Sequence, residues 1–203
     1  LELRWENRGI TDDVSSVWQK YAAQRTTVRH QWFSGGVLII GFDLRTRDNM
    51  SLQEFSISAS TGVAALQRNQ VDYVVTVPDW IQLSLHDRLN RGVEGIKVIN
   101  TANENQAVTV AAGLTIGGKK PLLMMQNQGL YNCFNTLRGV CLDAHIPMVF
   151  MVGQFGREYD NLGKPSTQSR RTVTNIAEPF LKSINVPFHL LDCEADMAKL
   201  DKA

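Results

Sequence analysis

VINTANENQAVTVAAGLTIGGKKPLLMMQNQGLYNCFNTL, Val98 to Leu137, decides the fold of this chain. It begins inside a β-branched run, Ile96 to Thr101, of the kind that suits a strand. Ala102 to Gly118 then reads as a helix, made small on one face by Val110-Ala111-Ala112-Gly113 and closed by a Gly stop. Pro121 to Gln126 is a second, almost wholly apolar strand, and Asn127 to Ala144 a turn followed by a helix. Strands alternating with helices predict a parallel sheet between helical layers.

The same rhythm extends in both directions. Upstream, Ser56 to Asn69 reads as a helix and Val71 to Val77 as a strand stopped by Pro78. Asp79 can cap the next helix, in which Ile81, Leu85 and Leu89 recur at one-face spacing until Gly92. Downstream, Ile146 to Gly153 is a strand, and Gln154 to Ser169 is long enough for a functional loop. Arg170 to Ile184 reads as a helix, Val186 to Asp192 as a last strand, and a short charged tail ends the chain. The strands are nearly continuous apolar runs, as expected when both faces are covered. Ligands of such sheets sit at the strands' carboxyl ends. That selects Val77-Pro78-Asp79, Thr101 to Glu104, Gln126 to Leu130, and Gly153 to Phe155.

The first 49 residues have a weaker pattern, with a candidate helix at Asp12 to Gln24 and a candidate strand at Gly35 to Leu44. Nothing in the pattern ties them to the regular stretch downstream. The expectation is an N-terminal extension over residues 1–54 and one domain over 55–203, with Met50 as the natural start.

Composition narrows the function. Twenty-one Lys and Arg against 20 Asp and Glu give a net charge of +1, which does not call for nucleic acid. No apolar run approaches a membrane span. The three cysteines, Cys133, Cys141 and Cys193, have no Cys-x-x-Cys spacing and read as buried, reduced thiols suited to the cytoplasm. His86 reads as a solvated residue on a helix, and neither His145 nor His189 has metal-ligand spacing. No metal ligands are expected. Gly117-Gly118-Lys119-Lys120 lacks phosphate-loop spacing and reads as a helix C-terminus.

Glu104 is the candidate working residue, and two readings stay open. Thr101 and Glu104 have capping-box spacing, which would commit the carboxylate to a backbone N–H. Alternatively, the carboxylate faces a ligand at a strand end. Asn127-Gln128-Gly129-Leu130-Tyr131-Asn132 is either turn chemistry or a set of amides for a polar ring.

Val98 to Leu137 resembles the pyrimidine-binding domain of thiamine diphosphate enzymes, and within them the sulfopyruvate and phosphonopyruvate decarboxylases. The likeness lies in the strand leading into Ala102-Asn103-Glu104, the small-residue helix, and the strand ending in Met-Gln-Asn-x-Gly-Leu. A looser match runs from Phe55 to Asp192. The resemblance implies a three-layer αβα domain with a mainly parallel sheet. It implies that Glu104 is catalytic and hydrogen-bonds the cofactor's pyrimidine nitrogen. Pro78, Asn103, Asn127, Gln128, Gly129 and Leu130 would join it around the cofactor, and Asn127, Gln128 and Arg157 would meet the substrate. Arg157, Lys164, Arg170 and Arg171 are candidates, by charge alone, to meet a sulfonate or phosphonate.

The family's Gly-Asp-Gly metal motif does not occur in the chain. The resemblance therefore implies an α subunit that works only with a β subunit carrying the diphosphate-binding domain and Mg2+, in a higher heteromer. The expected reaction is decarboxylation of a small 2-oxo acid to carbon dioxide and an aldehyde. A carboligase or synthase subunit, or a non-catalytic α/β partner, are the alternatives.

Overall fold

A computed structural model describes Val37–Ile40 and residues 55–203. Six parallel strands form one sheet in the order β3-β2-β4-β5-β1-β6. They are β1 (Val37–Ile40), β2 (Tyr73–Thr76), β3 (Lys97–Asn100), β4 (Pro121–Gln126), β5 (Val149–Gly153) and β6 (Phe188–Leu191). The mainly parallel αβα architecture expected from the sequence is the one observed.

Alternate residues along the central strands point to opposite faces, and each face meets a different helical layer. Val75, Leu123, Met125, Phe150 and Val152 pack with α3 (Glu104–Ile116), α4 (Asn127–Asn132), α5 (Phe134–Leu137) and α7 (Ala177–Ser183), through Ala107, Val108, Ala111, Leu130, Leu137 and Leu181. Val74, Leu122, Met124 and Met151 pack instead with α1 (Ala59–Arg68) and α2 (Leu83–Asn90), through Leu66, Leu85 and Leu89. Burial of each such leucine stabilises by about 1.5–3 kcal/mol. The small face of α3 is thus explained by close helix–sheet packing.

Local chemistry sets the helix ends. Ser58 caps α1, its Oγ accepting from Thr61 N at 3.1 Å. Gly118, at φ +76°, ends α3 with its N–H on Thr115 O, as the Gly stop required. The expected single helix over 170–184 is interrupted at Ile176, between α6 (Thr172–Asn175) and α7. Pro179 explains the break. It has no N–H to give and its ring opposes the carbonyl four residues earlier, that of Asn175.

Both ends of the chain go beyond the sequence reading. β1 lies between β5 and β6, with Ile39 opposite both Val152 and Leu190. The sheet therefore draws on residues before 55, so a domain boundary at 54 is too late. The candidate helix at 12–24 and Met50 lie outside the described residues. The charged tail is not a loose end. Glu194–Lys202 forms 3-10 turns that bury Met197 and Leu200 under the α1 face. Asp201 there pairs with Arg68 at 2.9 Å, and Glu194 accepts Ser58 N–H at 2.7 Å.

The path reverses between β2 and β4. From β2 the chain crosses to β3 on one side, whereas β4 is followed by β5 on the other. A crevice at such a reversal, outside the carboxyl ends, is where open α/β sheets bind ligands.

Candidate functional site

The four strand-end segments come together on one edge of the sheet. A Cβ placed on Gly153 would lie 3.0 Å from the Asp79 carboxylate, and Asn127 Nδ2 donates to Phe155 O at 3.1 Å. Glu104, at the first turn of α3, lies against α4. A Cβ placed on Gly129 would stand 2.5 Å from Glu104 Oε1 and 2.6 Å from Cδ. Only glycine leaves room for this carboxylate, which explains Gly129 without any turn argument.

The capping-box question is resolved by geometry. The N-cap of α3 is Asn103, whose Oδ1 accepts Gln106 N–H at 3.0 Å, while Gln106 Oε1 accepts Ala102 N–H at 2.8 Å. Thr101 instead donates its hydroxyl to Thr76 O at 3.1 Å. The Thr101–Glu104 box is therefore not formed, and its place is taken by the Asn103 and Gln106 pair, two residues along. Asn is a better cap than Thr, and Gln serves as well as Glu three residues on. Glu104 is left half-buried, with Oε2 accepting from Asn132 Nδ2 at 3.2 Å. Its Oε1 takes no hydrogen bond among the described residues. The start of α3 is pinned once more by Thr136 Oγ1 donating to Asn105 Oδ1 at 2.6 Å.

The other expected residues divide sharply. Pro78 and Gln128 are exposed on the same edge. Asn127 is fully buried, its amide donating to Phe155 O and Val173 O and its oxygen accepting Gln128 N–H. That amide fastens the end of β4 to the next loop, and it is fully covered by the protein. Leu130 is a core residue at 0% exposure.

Arg157, expected to meet substrate, is 2% exposed and paired with Asp192 at 2.5 Å. It also donates to Asn161 Oδ1 and Lys164 O. It fastens the 154–169 loop to the end of β6. Arg170 is engaged by Glu158 and Asp160 at the surface, whereas Lys164 donates to Asp160 O.

His86 departs from the sequence reading. It is 4% exposed rather than solvated, and burial lowers its pKa against the opposing pull of Asp79. Its Nε2 accepts Asp79 N–H at 3.4 Å. Asp79 caps the turn before α2 as expected, accepting from the N–H groups of Ile81 and Gln82. Gln82 is a polar residue that sequence reasoning missed. Its buried Nε2 donates to Asp79 Oδ2 at 2.7 Å and to Met125 O at 3.2 Å. The spacing of Asp79 and Gln82 on one turn was the available signal. Gln154, 1% exposed, has neither side-chain atom paired among the described residues.

Cys133 sits in the core beneath Glu104. Burial, and then the Glu104 charge, push its thiol up to about 12, so it stays protonated and unreactive at neutral pH. Cys141 and Cys193 are also free but only partly buried. No helix among the described residues is long and apolar enough to cross a membrane.

Comparison with known proteins now has a geometry to meet. Residues 59–176 match the model of the thiamine pyrophosphate enzyme, N-terminal TPP binding domain. The chain belongs to this family. The matched span covers more than half of the chain and contains Glu104, Gly129 and Asn132. The chain is 26% identical over 131 residues to the sulfopyruvate decarboxylase subunit alpha of Methanothermobacter thermautotrophicus, covering 64% of this chain and 76% of that protein. It is 24% identical over 124 residues to the same subunit of Methanococcus maripaludis, covering 61% and 71%. Among solved structures it is similar to the Rhodococcus jostii RHA1 thiamine diphosphate-dependent 4-hydroxybenzoylformate decarboxylase, with a TM-score of 0.47 and 15% identity. That likeness covers 71% of this chain and 33% of the other.

The residues present fit the cofactor. A carboxylate with one oxygen unpartnered among the described residues stands at a strand end, on a surface that a Cβ at Gly129 would fill.

Proposed function

We propose that this chain is the pyrimidine-binding α subunit of a thiamine diphosphate-dependent 2-oxo acid decarboxylase of the sulfopyruvate or phosphonopyruvate type. One observation carries the reading. Glu104 is relieved of helix capping by Asn103 and Gln106, and its carboxylate is held over Gly129 with no hydrogen bond to Oε1 among the described residues. At the first turn the carboxylate suits the helix dipole, and it is also turned onto α4, where it can meet a ligand. The family match over 59–176 and the similarity to sulfopyruvate decarboxylase α subunits support what that ligand is.

When bound, thiamine diphosphate supplies the electron sink that lets a 2-oxo acid lose carbon dioxide and leave as an aldehyde. Glu104 would hold or accept a proton at Oε1, against the pyrimidine ring. Gly129 keeps that position open, and the exposed Gln128 beside it offers an amide to the cofactor or the substrate. Asn127 and Arg157 contribute by fixing the loops around the site, since their polar groups are already engaged. The diphosphate and its Mg2+ would be held by a separate β subunit in a cytoplasmic heteromer. The α subunit names of the relatives support such a partner.

The test is reconstitution with the β subunit. Sulfopyruvate and phosphonopyruvate are each supplied with thiamine diphosphate and Mg2+, and carbon dioxide and free aldehyde are measured. Release of both in equal amounts is expected from the complex and not from either subunit alone. A carbon–carbon product in place of free aldehyde would identify a carboligase instead. Turnover by the Glu104→Gln complex at the normal rate would remove Glu104 from the chemistry.

A further inference from the structure

The geometry points to Asn132 as the positioning residue that selects which oxygen of Glu104 works. This rests on the reading of Glu104 as the residue that meets the pyrimidine ring. Asn132 Nδ2 donates to Oε2 at 3.2 Å, and an amide nitrogen can only donate. In this arrangement Oε2 is the accepting oxygen, and protonating it would cost the Asn132 bond. A proton on this carboxyl group is then favoured on Oε1, which has no hydrogen-bond partner among the described residues.

The opposite side faces Gly129, which carries no side chain. Oε1 lies where a Cβ on Gly129 would be 2.5 Å away, so the carboxylate is seated on α4. Turning it to exchange its oxygens would break the Asn132 bond. Asn132 and Gly129 lie on the same short helix, and together they hold the donor side and the open side of one carboxylate. Asn132 is itself exposed, so replacing it removes little packing.

The test uses the α–β complex loaded with thiamine diphosphate and Mg2+, without substrate. Exchange of the cofactor's thiazolium C2 proton in heavy water, measured by quenched-sample NMR, reports the proton transfer that Glu104 promotes. Cofactor affinity is measured in parallel. Asn132→Ala should slow exchange about tenfold, the worth of one hydrogen bond to a charged group. Asn132→Asp, of the same shape but without the donor, should slow it further, and both should bind cofactor within about threefold of normal, since ground-state binding is little touched.

Normal exchange in both Asn132 variants, with slow exchange in Glu104→Gln, would overturn the role of Asn132 and leave that of Glu104 standing. Normal exchange in Glu104→Gln would remove the underlying reading and this inference with it. Exchange that falls only in step with lost cofactor binding would also overturn it.

Discussion

Glu104 and Arg157 lie just beyond the carboxyl ends of β3 and β5, and the protein engages these two charges to very different degrees. Arg157 is almost fully buried and meets Asp192, Asn161 and the Lys164 carbonyl, so its donors are committed within the protein. Glu104 is half-buried and takes a single amide, and one oxygen remains free among the described residues. Charge recommended Arg157, and position at a strand end and helix start recommended Glu104. What distinguishes them is how many of their hydrogen-bonding positions the protein already fills.

Breaking the working corner should have the largest effect. Glu104→Gln should lower turnover of the complex by about 10²–10⁴-fold, the usual worth of a positioned proton-transfer group. Its folding stability should change by no more than about 0.5 kcal/mol, since the side chain serves no cap. Steady-state assay and chemical denaturation of the same sample check both halves.

Breaking the structural corner should give the reverse pattern. Arg157→Met leaves the Asp192 carboxylate without its partner in a largely buried place. A loss of about 3–5 kcal/mol is expected. The remaining folded molecules should keep normal kcat. A selective rise in KM for a sulfonated substrate, with stability intact, would return Arg157 to the substrate site.

Gly129→Ala sharpens the comparison from the other side. The added methyl would meet Glu104 at 2.5 Å, so the carboxylate must move. Turnover should fall at least about tenfold, with a stability cost of about 1–3 kcal/mol from overpacking.

The smallest effect belongs to His86, buried and engaged yet still able to titrate. Its folded pKa lies below the ordinary value of 6.5, chiefly through burial and despite Asp79. The unfolded chain then binds more protons just below that value. The stabilisation is therefore present above about pH 6.5 and is lost as pH falls toward the folded pKa. His86→Gln keeps an acceptor for the Asp79 N–H but does not titrate. Its denaturation midpoint should fall less steeply between neutral and mildly acidic pH.

Particular elements show where sequence reading stops. Strand β4 is legible to the residue, because a covered parallel strand is apolar throughout and Gly and Pro mark its surroundings. The place of β1 in the sheet is not, because four residues carry no evidence of which strands they will pair with. The burial of His86 is hidden because its helix carries charged neighbours at 87 and 88, and burial depends on what packs above it.

By itself the sequence determined the alternation of strands and helices, and it pointed to the carboxyl edge of the sheet and to Glu104 as the candidate residue there. These are local properties, set by periodicity and by residue types within one element. Only the tertiary structure decided that Asn103 and Gln106 free Glu104 from the cap, that Gly129 and Asn132 seat it, and that Arg157 is already engaged. The first is a choice between two overlapping local patterns; the others depend on contacts between residues as much as 35 positions apart, whose cost or gain no local pattern records.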